Sequence, residues 1–410
     1  MKALVAEPPR VAALSEGSGM REAVSWTLLG LGLALAVSIA AVNIAGAVLT
    51  VLVLIADRLG ERVPWDGALT GFSYALVAYF GVAVLTSALG VDPAVSFRAL
   101  NKDFHKVWLA WLLLISMRFA PPKRAPLLFG LGMCVLSVYG VAQTVRSSDL
   151  WIRAHGFVHP VTFGQQLAVA LLGALCFFAK PADARELGLD RRTLSAATLL
   201  LFVAFFFNDT RGAMLGGLVG LAAVALLDKQ ARLWAWRAGA ALLVIFLLWE
   251  LWLPSGRGLV RTIVQRGFHP LQNAQFERLV FWDVGWRIFK DHPWFGAGPG
   301  NYKTVFTQYF SGTIEGQTVW GSAHSLYIHQ LAERGIVGLA ALLAVLAAMA
   351  RRAWTRAKEH ADAYNLWALA ATAAFLVMNL TEVSFQNEQL MSLMLFVWAL
   401  AEARHRRLAD

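Results

Sequence analysis

A histidine followed at fixed distances by two glycines is the most informative candidate for a catalytic motif in this sequence. The segment from Ala323 to Gly338 reads AHSLYIHQLAERGIVG. His324, Tyr327, Gly335 and Gly338 fall on one face of a predicted helix. At the start of that helix, the positive end of the dipole would keep the imidazole neutral and available as a base, while free amide groups favour an anionic ligand. The glycines would let a neighbouring helix approach and fix the rotation of this one. On residue type alone, a histidine that merely caps the helix remains the alternative.

Two arginines have the chemistry to bind phosphate groups. Arg211 lies in a very short turn, Asn208 to Gly212, and Arg278 opens the string ERLVFW. A planar guanidinium can grip a pyrophosphate through paired hydrogen bonds, which lysine cannot reproduce. Arg211 could instead pair with Asp209 or extend to the membrane surface, and Arg278 could bind lipid phosphates.

Composition places these residues in a membrane protein. Of the 410 residues, 58% are hydrophobic and 15% are charged, and the mean hydropathy is positive, which excludes an ordinary soluble protein. The net charge of +10 does not indicate nucleic-acid binding, because basic residues of membrane proteins concentrate in cytoplasmic loops. Both cysteines lie in apolar segments and indicate neither a disulfide nor a metal site. No long apolar run precedes Trp26, so we expect a cytoplasmic tail rather than a signal peptide.

Hydropathy predicts an all-α polytopic bundle of about twelve transmembrane spans. The apolar run from Trp26 to Ala56 is too long for one span, and we divide it near Asn43 and Gly46. The predicted spans are 25–40, 42–57, 67–89, 104–118, 125–145, 161–179, 193–208, 211–227, 233–252, 324–350, 362–380 and 387–403.

The distribution of basic residues predicts the orientation of this bundle in the membrane. With the amino terminus in the cytoplasm, most of the 36 lysines and arginines fall in cytoplasmic segments, whereas the opposite orientation would expose Arg351, Arg352 and Arg356 outside. The chain then divides into a tail with nine spans at 1–252, an outer loop at 253–323 and three spans at 324–410.

The outer loop is predicted to contain a helix on the membrane surface. Leu279, Trp282, Trp286 and Phe289 recur at helical spacing, with charged residues around the rest of the helix. The glycines at 296–300 resemble a phosphate loop only superficially, because no βαβ unit surrounds them.

The His-Ser pair, nine residues and then Gly-x-x-Gly resemble the signature of the O-antigen ligase family. The segments around Arg211 and Arg278, the span count and the long loop before the histidine extend the resemblance over most of the chain. The histidine string is more specific to ligases, whereas the arginine strings also occur in O-antigen polymerases. The resemblance implies a GT-C-like bundle in the bacterial inner membrane, with interfacial helices in its periplasmic loop and an active site facing the periplasm.

The resemblance also implies a reaction, with catalytic roles for His324, Arg211 and Arg278. The arginines would bind the pyrophosphate of an undecaprenyl-pyrophosphate-linked O-antigen donor, and His324 would deprotonate or orient a hydroxyl of the lipid A-core acceptor. The transfer would be inverting and would build lipopolysaccharide without a metal or other cofactor. No acid occupies the predicted first outer turn, Ala40 to Asn43. Further candidates for substrate binding are Arg257, Arg261, Arg266, His159, Gln165, Arg153 and Tyr327, of which His159 and Gln165 are equally explained by packing and capping.

Other functions remain open. An O-antigen polymerase or a protein O-oligosaccharyltransferase could share the fold and the arginines. A lipid-linked glycan flippase or transporter would also be polytopic, but would carry ionisable groups deep inside its spans. We expect few such groups here, with Glu250, Glu382 and Glu388 close to the span ends.

Overall fold

The computed structural model describes residues 13–147, 153–252, 277–314 and 316–409. Within these ranges the chain is helical and forms no strand. Two 3₁₀ turns, Trp65–Ala68 and Ser384–Gln386, accompany the α-helices. In chain order the helices are α1 Ala13–Val37, α2 Ile39–Arg58, α3 Gly71–Ala88, α4 Pro93–Phe119, α5 Ala125–Arg146, α6 Pro160–Ala179, α7 Pro181–Glu186, α8 Arg191–Asn208, α9 Arg211–Leu227, α10 Lys229–Trp252, α11 Glu277–Asp291, α12 Asn301–Tyr309, α13 Leu326–Glu359, α14 Ala363–Met378 and α15 Glu388–Ala409.

Helices α6, α14 and α15 form the centre of the bundle, since most of their side chains are buried. The indole of Trp367 on α14 donates to the Val169 carbonyl of α6 over 2.8 Å. On α9, Gly216 and Gly220 face the carbonyl oxygens of α14 so closely that a β-carbon at either position would collide with them. Small residues of this kind allow membrane helices to pack backbone to backbone. The close packing fixes the position of Arg211 at the start of α9.

Each of the twelve predicted spans overlaps a helix. Six helical segments combine sufficient length with sufficient hydropathy to cross a membrane, and α9 and α14 are shorter apolar helices. These features define a multi-pass membrane protein, while the number of twelve spans stays a prediction. The six segments are Gly19–Val37, Ile39–Arg58, Gly71–Ala88, Ala125–Arg146, Pro160–Ala179 and Leu326–Glu359.

The first apolar run is divided, as predicted, but at a different residue. Helix α1 ends at Val37, and the Ser38 side chain caps α2 by accepting from the Ala40 amide. Asn43 and Gly46 lie inside α2, so the expected turn at 40–43 was wrong. Asn43 instead bonds to His105 over 2.9 Å, and Gly46 leaves room for the ring of Trp108.

The described part of the outer loop has a small core of its own. Helix α11 buries Phe281, Val284 and Ile288, which pack with Tyr302 and Phe306 of α12. The sequence predicted this helix. Leu279 and Trp286 of the predicted apolar stripe are exposed, so the stripe faces away from this small core.

Helix α13 is interrupted at Gly335, where φ is 60° and ψ is −163°. The chain after α11 fills the interruption: the Ile336 amide donates to the Pro293 carbonyl and the Gly298 amide donates to the Glu333 carbonyl. Close approach at Gly335 was expected, but its partner is the Trp294 backbone of this loop rather than a helix. The prediction of one continuous stripe from His324 to Gly338 was therefore wrong.

Candidate functional site

His324 lies just before α13 rather than on it. Ser325 is the N-cap of that helix, and His324 adopts a left-handed conformation with φ of 46°, which is unusual for a residue with a side chain. Its ring is held by the rings of Phe281, 5.2 Å away between centroids, and Trp320, 6.0 Å away. The imidazole thus has a fixed position without belonging to the predicted helical face.

The loop after α14 brings a carboxylate to this histidine. The Leu326 amide, at the start of α13, donates to the carbonyls of both Asn379 and Glu382 over 2.9 and 3.0 Å. The buried Asn379 side chain shapes the same loop by accepting from the Phe385 amide. As a result, Glu382 Oε2 lies 3.6 Å from His324 Nδ1.

Arg278 reaches the same carboxylate from α11. Its guanidinium pairs with Glu382 Oε1, so Glu382 lies between an arginine and a histidine from distant parts of the chain. Glu382 was noted in the sequence only as an acid near a span end. No motif or spacing links it to His324, because backbone bonds between α13 and the loop after α14 create the contact.

Arg211 begins α9 beside this loop. The next residue, Gly212, packs against the Thr381 hydroxyl so closely that a β-carbon would lie 2.6 Å from it. Arg211 therefore starts a helix that adjoins the residue before Glu382. The structure thus places Arg211, Arg278 and His324 around one loop, 379–382.

Arg153 braces the turn before Arg211. Its guanidinium donates to the Asn208 carbonyl over 2.7 Å and to the Thr210 hydroxyl over 2.5 Å. The Asn208 amide in turn donates to the carbonyls of Ala154 and Pro160. These bonds connect the start of α6 to the start of α9.

Three other predicted substrate-binding residues have different surroundings. His159 is the N-cap of α6. Partial burial together with the charge of Arg153 lowers its pKa. Glu382 and His324 also act on the pKa of His159, so this residue borders the site. The buried Gln165 donates to the Ser384 hydroxyl over 2.7 Å, and the Tyr327 hydroxyl donates to the Leu376 carbonyl. Arg257, Arg261 and Arg266 lie outside the described residues.

A polar cleft of about 380 Å³ opens next to His159. Among its lining residues are Lys102 on α4, Asn387 and Glu388 at the start of α15, and Gln386. The Asn387 amide also donates to the Thr162 hydroxyl at the start of α6. Ammonium, amide and carboxylate groups of this kind can hydrogen-bond to sugar hydroxyls.

A buried ionic cluster contacts Gln386, which follows the loop 379–382 in the chain. Asp103 on α4 accepts from Arg334 over 2.6 Å and from Lys106 over 2.8 Å, and Lys106 also donates to Gln386. Glu333 and Arg334 are ionisable residues inside the predicted span 324–350. Because α13 is interrupted at Gly335, these two residues lie next to the outer segment.

His329 is buried and packs against Tyr302, with 5.4 Å between the ring centroids. Within the described ranges, no group of three or more His, Cys, Asp or Glu side chains is arranged to hold a metal ion.

The fold and site define a multi-pass helical membrane protein with arginine, histidine and carboxylate side chains gathered at one end of its bundle. A family model described as O-antigen ligase matches residues 196–343, which contain Arg211, Arg278 and His324. This match confirms the resemblance to the O-antigen ligase family over that segment. Members of the family are glycosyltransferase-like ligases and polymerases. A comparison with curated proteins found no match.

Proposed function

We propose that the protein transfers a glycan from undecaprenyl pyrophosphate to lipid A-core at the periplasmic face of a bacterial inner membrane. One observation carries this proposal: Arg278 and His324 share the carboxylate of Glu382, beside the helix that starts with Arg211. A cationic region next to a fixed imidazole suits a reaction with a diphosphate leaving group and a hydroxyl nucleophile.

Arg211 and Arg278 bind the donor pyrophosphate in this mechanism. Their guanidinium groups offset the negative charge that grows on the diphosphate as the glycosidic bond breaks. The start of α9 adds the positive end of a helix dipole. These groups stabilise the leaving group, so we expect the reaction to need no metal ion.

His324 acts on the acceptor. Since Nδ1 faces Glu382, Nε2 is the ring nitrogen that remains to accept the proton of an acceptor hydroxyl. The deprotonated oxygen attacks the anomeric carbon opposite the departing diphosphate, which inverts the configuration.

The polar cleft beside His159 receives part of the glycan. Lys102 and Glu388 line it, and His159 connects it to the surroundings of His324 and Glu382. Arg153, Gln165 and Tyr327 support the site through hydrogen bonds within the bundle, whereas His159 faces the sugar.

Lipopolysaccharide profiles of a deletion strain test this function. Wild-type protein should restore long glycan chains on core, whereas His324→Ala should leave the polymer on its lipid carrier. The matched control is His292→Ala, which changes another histidine of the outer segment and should restore the wild-type profile. Accumulation of single repeat units in the deletion strain would indicate a polymerase and contradict the proposal.

A further inference from the structure

Glu382 makes two contacts that the proposed reaction requires at different moments. Its Oε1 pairs with Arg278, and its Oε2 lies 3.6 Å from His324 Nδ1, just beyond hydrogen-bond distance. One carboxylate therefore stands between the guanidinium assigned to the donor and the imidazole assigned to the acceptor. Glu382 lies outside the segment 196–343 that the family model matches.

We infer that Glu382 is a positioning residue that couples donor binding to the activation of His324, an inference that rests on the proposed function. Without substrate, its carboxylate occupies the place on Arg278 that a phosphate oxygen takes in the complex. A pyrophosphate carries more negative charge and more acceptor oxygens than one carboxylate, so it displaces Glu382 from the guanidinium. The released side chain then closes the 3.6 Å gap to the imidazole.

The new contact prepares His324 for proton transfer. Nδ1–H donates to Glu382, which leaves the Nε2 lone pair directed at the acceptor and stabilises the imidazolium that forms. The acceptor hydroxyl gives its proton to Nε2 as its oxygen bonds to the anomeric carbon. The bond from that carbon to the diphosphate breaks, and its electron pair leaves with the diphosphate. His324 is thus oriented for proton transfer only when the donor is bound.

The elements around this loop carry other titratable groups, and a test must leave them in place. They are Glu277 and Arg278 on α11, Asp209 and Arg211 before and at the start of α9, and Arg153, His155 and His159 before α6. Glu382→Gln keeps all of them and nearly the same side-chain shape, so it removes only the carboxylate charge.

Binding of inorganic pyrophosphate to the purified full chain in detergent, measured by calorimetry, tests the competition. Glu382→Gln should bind about threefold to tenfold more tightly than wild type, because a partly solvated ion pair no longer competes for Arg278. Arg278→Ala should bind more weakly. Asp283→Asn, which neutralises an exposed carboxylate on the same helix, should match wild type. Equal affinities of Glu382→Gln and wild type would overturn the inference.

Steady-state kinetics of glycan transfer test the coupling to His324. Glu382→Gln should lower kcat while also lowering KM for the donor, because the imidazole loses its positioning carboxylate while Arg278 becomes free to bind the pyrophosphate. Glu382→Asp, which keeps the charge, should recover part of the wild-type kcat. An unchanged kcat in Glu382→Gln would overturn the coupling. If wild type binds pyrophosphate but transfers no glycan, the proposed function fails, while the affinities still test Glu382.

Discussion

His324 and Arg278 come from different segments of the chain, yet both contact Glu382. At the scale of residues, the sequence identified the histidine and the arginine through their side-chain chemistry and their motifs. It did not identify Glu382, because the contact depends on bonds from the Leu326 amide to the carbonyls of Asn379 and Glu382. Long-range backbone bonds of this kind leave no periodic pattern in a sequence.

Arg278→Lys tests whether the shape of the guanidinium matters as well as its charge. Lysine keeps the positive charge but cannot make two parallel hydrogen bonds, so kcat/KM for transfer should fall roughly 10- to 100-fold, as for the loss of one charge-assisted bond. Arg287→Lys on the same helix is the control, because Arg287 is half-exposed and pairs only locally with Asp283. Equal losses of kcat/KM in the two variants would contradict a specific role for the Arg278 guanidinium.

At the scale of elements, hydropathy predicted where the helices lie better than where they break. Long apolar runs identify a helix in lipid because every backbone amide must be satisfied within it. The break at Ser38 replaced the one expected near Asn43, since Ser38 caps α2 while Asn43 is used to bond His105. The interruption at Gly335 was not predicted, because glycines at this spacing also fit a continuous helix.

Gly335→Ala should destabilise the outer segment. The backbone conformation there is nearly exclusive to glycine, costing about 1–3 kcal/mol for another residue, and an added β-carbon would lie 2.3 Å from the Trp294 backbone. Thermal unfolding in detergent should show a lower melting temperature than wild type. Gly321→Ala, where nothing lies within 4 Å of the new methyl group, should melt like wild type. Equal melting of both variants would contradict the role of this interruption.

At the scale of the whole molecule, buried charges join elements that are far apart in the chain. The cluster of Asp103, Lys106 and Arg334 connects α4 and α13 to the turn at Gln386, close to the loop that carries Glu382. In the sequence, Asp103 lies just before the predicted span 104–118, whereas Lys106 and Arg334 lie within predicted spans. Pairing across such separations follows from the packed bundle and could not be predicted from one sequence.

Asp103→Ala should strongly destabilise the bundle. It would remove the Asp103 carboxylate that pairs with the buried Arg334 and Lys106, and breaking a buried ion pair from one side costs about 3–5 kcal/mol. The control is Asp66→Ala, which removes an exposed carboxylate paired with Arg118 and should cost less than about 1 kcal/mol. Denaturant titration in detergent compares the two free energies of unfolding, and a similar cost for both would contradict the importance of the cluster.

The rate of glycan transfer by the purified protein in lipid vesicles tests the central claim most directly. The vesicles would contain undecaprenyl-pyrophosphate-linked glycan and lipid A-core, and wild type would be compared with Arg211→Ala, Arg278→Ala and His324→Ala at equal amounts of folded protein. Wild type should release undecaprenyl pyrophosphate and form the glycan–core product, while each variant should be slower by about 100-fold or more. A wild-type rate in any of the three variants would contradict the assignment of that residue to the reaction.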